Sequence, residues 1–115
     1  MTDIESRSKA RKIANTRNLA ALANDTKWTE FFSEVHTQAI ELEIKFIDQD
    51  IPTMESRVWV PVTNYIEGSR MGGPELFVFI EWVRSRSIEE VFQIAKKVGL
   101  EHISSDKKVI VFGYK

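Results

Sequence analysis

Ile40-Glu41-Leu42-Glu43-Ile44-Lys45-Phe46 decides the fold. Ile40, Leu42, Ile44 and Phe46 alternate with Glu41, Glu43 and Lys45, and a period of two puts each set on its own face of a strand. One face is apolar and the other charged. Such a strand suits an antiparallel sheet with one face packed and the other in water. The segment just upstream offers the cover. Trp28, Phe31, Phe32, Val35 and Ala39 recur at spacings of three and four, one apolar face of a helix that starts with Asp25 as its N-cap.

Further upstream, Ser6 to about Asn24 lacks Pro and Gly and is rich in helix formers. Its apolar stripe, Ala10, Ile13, Ala14, Leu22 and Ala23, is thin, and Asn24 suits a left-handed helix end. The first half is polar and basic, so residues 1–12 read as an arm that is mobile or tied down by charge. The whole of 1–115 reads as a single domain.

Downstream, Asp48–Met54 with Pro52 makes a turn. Val58, Val60 and Val62 form a second strand, which Pro61 confines to an edge or a bulge. Glu67–Pro74 reads as a Gly-rich loop. Leu76–Val83 is apolar on both faces and reads as one central strand. Ser87 with Glu90 suggests a capping box opening a last helix that buries Ile88, Val91, Phe92, Ala95 and Val98 and ends at Gly99. Leu100–Ser104 and Lys108–Tyr114 close the chain as a strand pair around Ser105-Asp106. The order α-α-β-β-β-α-β-β predicts an α+β fold, a two-layer sandwich of a mainly antiparallel sheet packed by helices.

Composition narrows the function. The 115 residues carry 16 basic and 17 acidic groups, for a net charge of -1. That excludes a uniformly basic nucleic-acid binder and an acidic solvating tail. With no cysteine there is no disulfide scaffold, thiolate zinc site or cysteine nucleophile. No cofactor is implied. No apolar run approaches the ~20 residues of a membrane span, and Met1–Arg7 lacks a signal-peptide core, so a cytoplasmic location is expected.

Several constellations invite chemistry and fail its spacing. The Glu67–Pro74 loop holds Arg70 and three glycines, but a strand rather than a helix follows, so it is not a phosphate loop. His36 and His102 form no His-Glu-x-x-His motif and are too few for a catalytic zinc. Ser104, Ser105, His102 and Asp106 make a polar turn without a nucleophile elbow. Glu81 follows Phe77 and Phe79 in the apolar strand. It is either a rim residue paired with Arg57 or Arg84, or a buried carboxylate of functional interest.

Asn24-Asp25-Thr26-Lys27-Trp28, with Phe31-Phe32, the strand Ile40–Phe46 and the string Ile80-Glu81-Trp82, resembles a family of small uncharacterised bacterial proteins over roughly residues 18–86. The resemblance implies a bacterial, cytoplasmic origin and transfers no catalytic residue.

Three functional expectations follow. Residues 25–55 carry eight acidic and two basic groups. The first expectation is therefore a non-catalytic interaction module presenting Glu30, Glu34, Glu41, Glu43, Asp48 and Asp50 to a basic protein partner, as inhibitor-like acidic domains do. The second is a small-ligand site or enzyme lined by Trp59, Arg70, Glu81 and Trp82. The third is nucleic-acid contact through Arg7, Lys9, Arg11, Lys12 and Arg17, against which the lack of interleaved aromatics argues. A homo-oligomer stays open.

Overall fold

The computed structural model describes residues 2–115; Met1, the first residue of the expected arm, lies outside the described residues. The fold is α+β. Three helices, α1 (Asp3–Thr16), α2 (Asp25–Thr37) and α3 (Ile88–Val98), accompany seven strands: β1 (Glu41–Phe46), β2 (Ser56–Trp59), β3 (Tyr65–Gly68), β4 (Glu75–Leu76), β5 (Ile80–Ser85), β6 (His102–Ser104) and β7 (Val109–Phe112). They form one sheet in the order β4-β3-β2-β1-β5-β7-β6, and every neighbouring pair is antiparallel.

The core follows from the alternation in β1. Leu42 and Ile44 are fully buried, and Val83, Val109 and Val111 continue the same inner face across β5 and β7. Trp28, Phe31, Phe32 and Val35 of α2 pack on that face with Val91, Ile94 and Ala95 of α3. Trp28 stacks on Phe32 at 5.4 Å, and Phe32 on Phe77 at 5.5 Å. Ala10 and Ala14 of α1 join the same cluster, Ala10 with no exposed surface. Small side chains at these positions let the α1 backbone approach closely.

The boundaries differ from the sequence reading in instructive places. The first helix ends at Thr16 rather than Asn24, and Asn18 takes the left-handed conformation at φ 56°. Residues 19–23 leave the helix because the C-terminus offers their backbone other partners: Ala20 N–H donates to the Lys115 carbonyl at 2.9 Å and Leu22 N–H to that of Gly113 at 2.8 Å. Asn24 is then the extended N-cap of α2, its side chain accepting from Lys27 N–H at 2.9 Å, and Asp25 is the first helical residue.

β2 stops at Trp59, before Pro61. Tyr65–Gly68, half of it read as loop, is a strand. The expected strand Leu76–Val83 is broken by a turn of 3₁₀ helix at Phe77–Phe79, and the sequence neighbours Leu76 and Phe77, like Phe79 and Ile80, are both buried in the one core. Ser87 makes no side-chain cap; its own N–H donates to Ser85 Oγ at 3.0 Å. Gly99 ends α3 in the left-handed conformation, as expected.

Candidate functional site

Glu81 occupies an irregularity in the sheet. Lys45 pairs with Trp82 and Phe46 with Ile80, so Glu81 is an extra residue on β5. Its side chain, 13% exposed, is gripped by a bidentate Arg17, at 2.7 and 3.1 Å, and by Lys45 Nζ at 3.2 Å. Burial opposes its ionisation, but the hydrogen bonds and charges of Arg17 and Lys45 prevail and hold the carboxyl below its ordinary value. Its carbonyl accepts from both Gly113 N–H at 2.7 Å and Tyr114 N–H at 3.0 Å. The side chain is thus an ionised joint between α1, β1 and β5. Its partners are not Arg57 or Arg84.

The six acidic residues expected on one surface are dispersed. Glu30 and Glu34 lie on α2, on the helical side of the sheet, and Glu34 binds Lys97 of α3 at 2.9 Å. Glu41 and Glu43 point to the opposite side. Glu43 takes both nitrogens of Arg84, at 2.8 and 3.0 Å, and Lys108 at 3.0 Å. The Arg84 hydrogen bonds lower its pKa against the cost of burial, with Lys108 adding to the effect. Asp48 and Asp50 sit in the turn after β1, and Asp48 lies 3.9 Å from Lys9 of α1. Asp50 is exposed.

The alternative site residues are also separated. Trp59 pairs with Glu67 of β3, while Trp82 pairs with Lys45 and Phe112 on the other half of the sheet. Trp59 lines a shallow hollow with Phe32 and His36 of α2. Arg70 touches Met54 Sδ at 3.5 Å in the loop region. Three expected nucleic-acid contacts are engaged internally: Arg7 with Asp25 at 2.9 Å, Lys9 with Asp48, and Arg17 with Glu81. His102 meets Phe92 edge to face and the Leu100 carbonyl at 2.8 Å.

What the structure assembles instead is the sheet face opposite the helices. Trp82 and Phe112 stand directly across from each other on β5 and β7, followed by the rung Arg84, Ile110 and Ile103 across β5, β7 and β6. Trp82, Phe112 and Ile110 are half-buried and lie outside the core cluster; Ile103 is 54% exposed. The Arg84 guanidinium lies 4.8 Å over the Trp82 ring and Lys115 Nζ 5.3 Å over Phe112. The sequence carried a signal for this: Lys108–Tyr114 is apolar at both alternating sets, more than one core face needs.

A second feature went unnoticed in the sequence. Glu75 of β4 is half-buried and, among the described residues, has no ion pair or side-chain hydrogen bond. Burial and the nearby Asp48 raise its pKa, with Lys9 offsetting part of the rise.

Residues 10–115 match the family model described as "Family of unknown function (DUF6678)". The chain belongs to this family. The match runs well beyond the stretch 18–86 that carried the sequence resemblance, taking in α3 and the closing strands. No curated protein and no solved structure matches the chain. Among the described residues, no helix is long and apolar enough to cross a membrane, and no group of three or more His, Asp or Glu side chains is placed to hold a metal ion.

Proposed function

We propose that this family member is a non-catalytic protein-interaction module, and that its contact surface is the helix-free sheet face around Trp82 and Phe112. The observation that carries the reading is the directly paired Trp82 and Phe112 with Ile110 and Ile103 beside them, apolar side chains outside the core on three adjacent strands. Aromatic side chains in such a patch are typical anchors of protein contacts.

The occupant that fits best is a second copy of the chain. Charges on this face alternate in sign: Glu41 faces Arg57, and Glu43 holds Arg84 and Lys108. A basic partner would have to displace cations that Glu43 already binds. A two-fold pairing lets each charged border meet its complement on the other copy. Stacked bases fit poorly, because Arg84 and Lys115 already lie over the rings.

Sedimentation velocity over a concentration series tests this. The chain is expected to dimerise with a Kd of about 1–100 µM, and Ile103→Lys, at an exposed position, is expected to leave a folded monomer. A wild type that stays monomeric at every concentration overturns the reading. If that monomer binds polylysine, and Glu41→Lys with Glu43→Lys abolishes the binding, the face belongs to a basic partner instead.

A further inference from the structure

A cleft of about 290 Å³ opens on the β3–β4 side of the sheet, between the turn that follows β1 and the Gly-rich loop that follows β3. Its size is near the lower end of the ~300–1,000 Å³ of small-molecule sites. Phe46 and Met71 give it an apolar lining, Ile51 stands at its mouth 79% exposed, and Gln49, Arg70 and Glu75 supply its polar groups.

Both walls are fixed by backbone bonds. On one side Thr53 N–H donates to the Ile44 carbonyl at 2.8 Å, and Ile44 N–H donates to Thr53 Oγ1 at 2.9 Å. On the other, Ser69 N–H donates to the Arg57 carbonyl at 3.2 Å and Met71 N–H to that of Gly68 at 3.1 Å. The cleft is therefore built before any ligand arrives.

Among the described residues, neither of its two charges forms an ion pair. Glu75 has no ion pair among the described residues; its charged neighbours are Asp48, which repels it, and Lys9, which reaches toward Asp48. Arg70 forms no ion pair among the described residues, and its guanidinium meets the Met54 sulfur at 3.5 Å. Arg70 and Glu75 line the same cleft and do not pair with each other. This differs from Arg17 with Glu81 and Arg84 with Glu43, where the charges close on one another. A half-buried carboxylate without a counter-ion attracts a cation, and a guanidinium offers a fork to a carboxylate.

From these opposite charges, unpaired with each other, in a cleft whose lining is part polar and part apolar, we infer that the protein binds a small zwitterion here, a free amino acid with an apolar side chain. Glu75 takes the ammonium group, Arg70 the carboxylate, and the side chain lies against Phe46 and Met71. The site is separate from the face around Trp82 and stands or falls independently of it.

The test is a titration of the full chain with L-leucine, followed by amide chemical shifts. Two analogues each lack one charge: 4-methylpentanoate, without the ammonium, and 3-methylbutylamine, without the carboxylate. Leucine is expected to shift the Gln49, Gly72 and Gly73 amides saturably, with a Kd of about 0.1–1 mM, and each analogue to bind at least about tenfold more weakly. Glu75→Gln is expected to weaken leucine at least about tenfold while leaving 4-methylpentanoate unchanged. Absence of saturable shifts, or equal binding of either analogue, overturns the inference. So does an effect of Glu75→Gln that is the same on leucine and 4-methylpentanoate. The analogue series on the wild type decides the matter even where a variant folds poorly.

Discussion

Two acidic residues, one on each half of the sheet, have opposite fates. Glu81 lies in the β1–β5–β7 half, closed in by Arg17 and Lys45, with its carboxyl held below its ordinary pKa. Glu75 lies in the β2–β3–β4 half, similarly shielded from water in part, with no counter-ion among the described residues and its pKa raised by burial and the nearby Asp48. The first half brings together segments distant in sequence: Arg17 reaches Glu81 across 64 positions. The second half is a meander of short strands joined by loops, and Arg70, which lines the same cleft as Glu75, does not close on it. The lesson is that burial alone does not mark a carboxylate as structural or functional; what it lacks does.

The Glu81 half is least tolerant of change at Gly113. A Cβ there would collide with the backbone carbonyl of Ile80, and it would also press on Trp28 at 3.2 Å. Backbone cannot move away as a flexible side chain can. Gly113→Ala is expected to cost more than about 4 kcal/mol in urea unfolding, at the extreme of single substitutions. A loss below about 1 kcal/mol would show that the Glu81 half is far more plastic than its contacts imply.

Removing Met1–Lys12 probes α1 next. It deletes buried Ala10 and the Asp3 contact to Tyr65 Oη, 2.7 Å, but keeps Ala14 and Arg17. We expect a loss of roughly 2–3 kcal/mol with one cooperative transition retained, measured by circular dichroism on urea titration. Loss of the transition would make the arm an indispensable part of the core.

Arg17→Ala comes third, at about 1–2 kcal/mol near neutral pH, since Arg17 is partly exposed and Lys45 stays in place. Its pH dependence has a definite sign. A carboxyl whose folded pKa is depressed adds stability above its unfolded pKa and loses it as pH falls through the folded value. The gap between wild type and Arg17→Ala should therefore narrow in acid. A gap independent of pH would mean that Arg17 acts by packing alone.

Glu75→Gln has the smallest effect and the opposite sign. A raised folded pKa means that the ionised carboxylate weakens the fold at neutral pH and that this penalty fades as pH falls through the folded value. The variant should be as stable as wild type or more so, by no more than about 0.5 kcal/mol, at neutral pH. The two should converge in acid. Clear destabilisation at neutral pH would reveal a counter-ion for Glu75.

Much of the fold was legible because its periodicities are local. Ile40–Phe46 declares a half-buried strand, and Trp28–Val35 a helix that covers it. Leu76–Val83 misleads because apolar residues on both alternating positions read as one central strand, whereas Phe77 and Phe79 enter the core from a tight turn. Asn18 and Asn24 are the same residue type with two uses, a left-handed helix end and an extended N-cap. Which takes which depends on residues 19–23 meeting Gly113–Lys115, a contact no local pattern encodes. The candidate site was less legible for the same reason. The acidic segment is continuous in sequence, but the sheet sends its residues to opposite sides, and their cations come from Arg84, Lys97 and Lys108, remote along the chain.

The place of β7 between β5 and β6 has a consequence for synthesis on the ribosome. β5 can pair with β1 as soon as it emerges, but its other edge waits for Val109–Phe112, and the Glu81 carbonyl waits for Gly113 and Tyr114. At about 5–20 residues per second, the nascent chain shows an open β5 edge, with Trp82 beside it, for a few seconds. Chaperone capture or mispairing between neighbouring nascent chains should concentrate in that interval, ending when the last strand slots in.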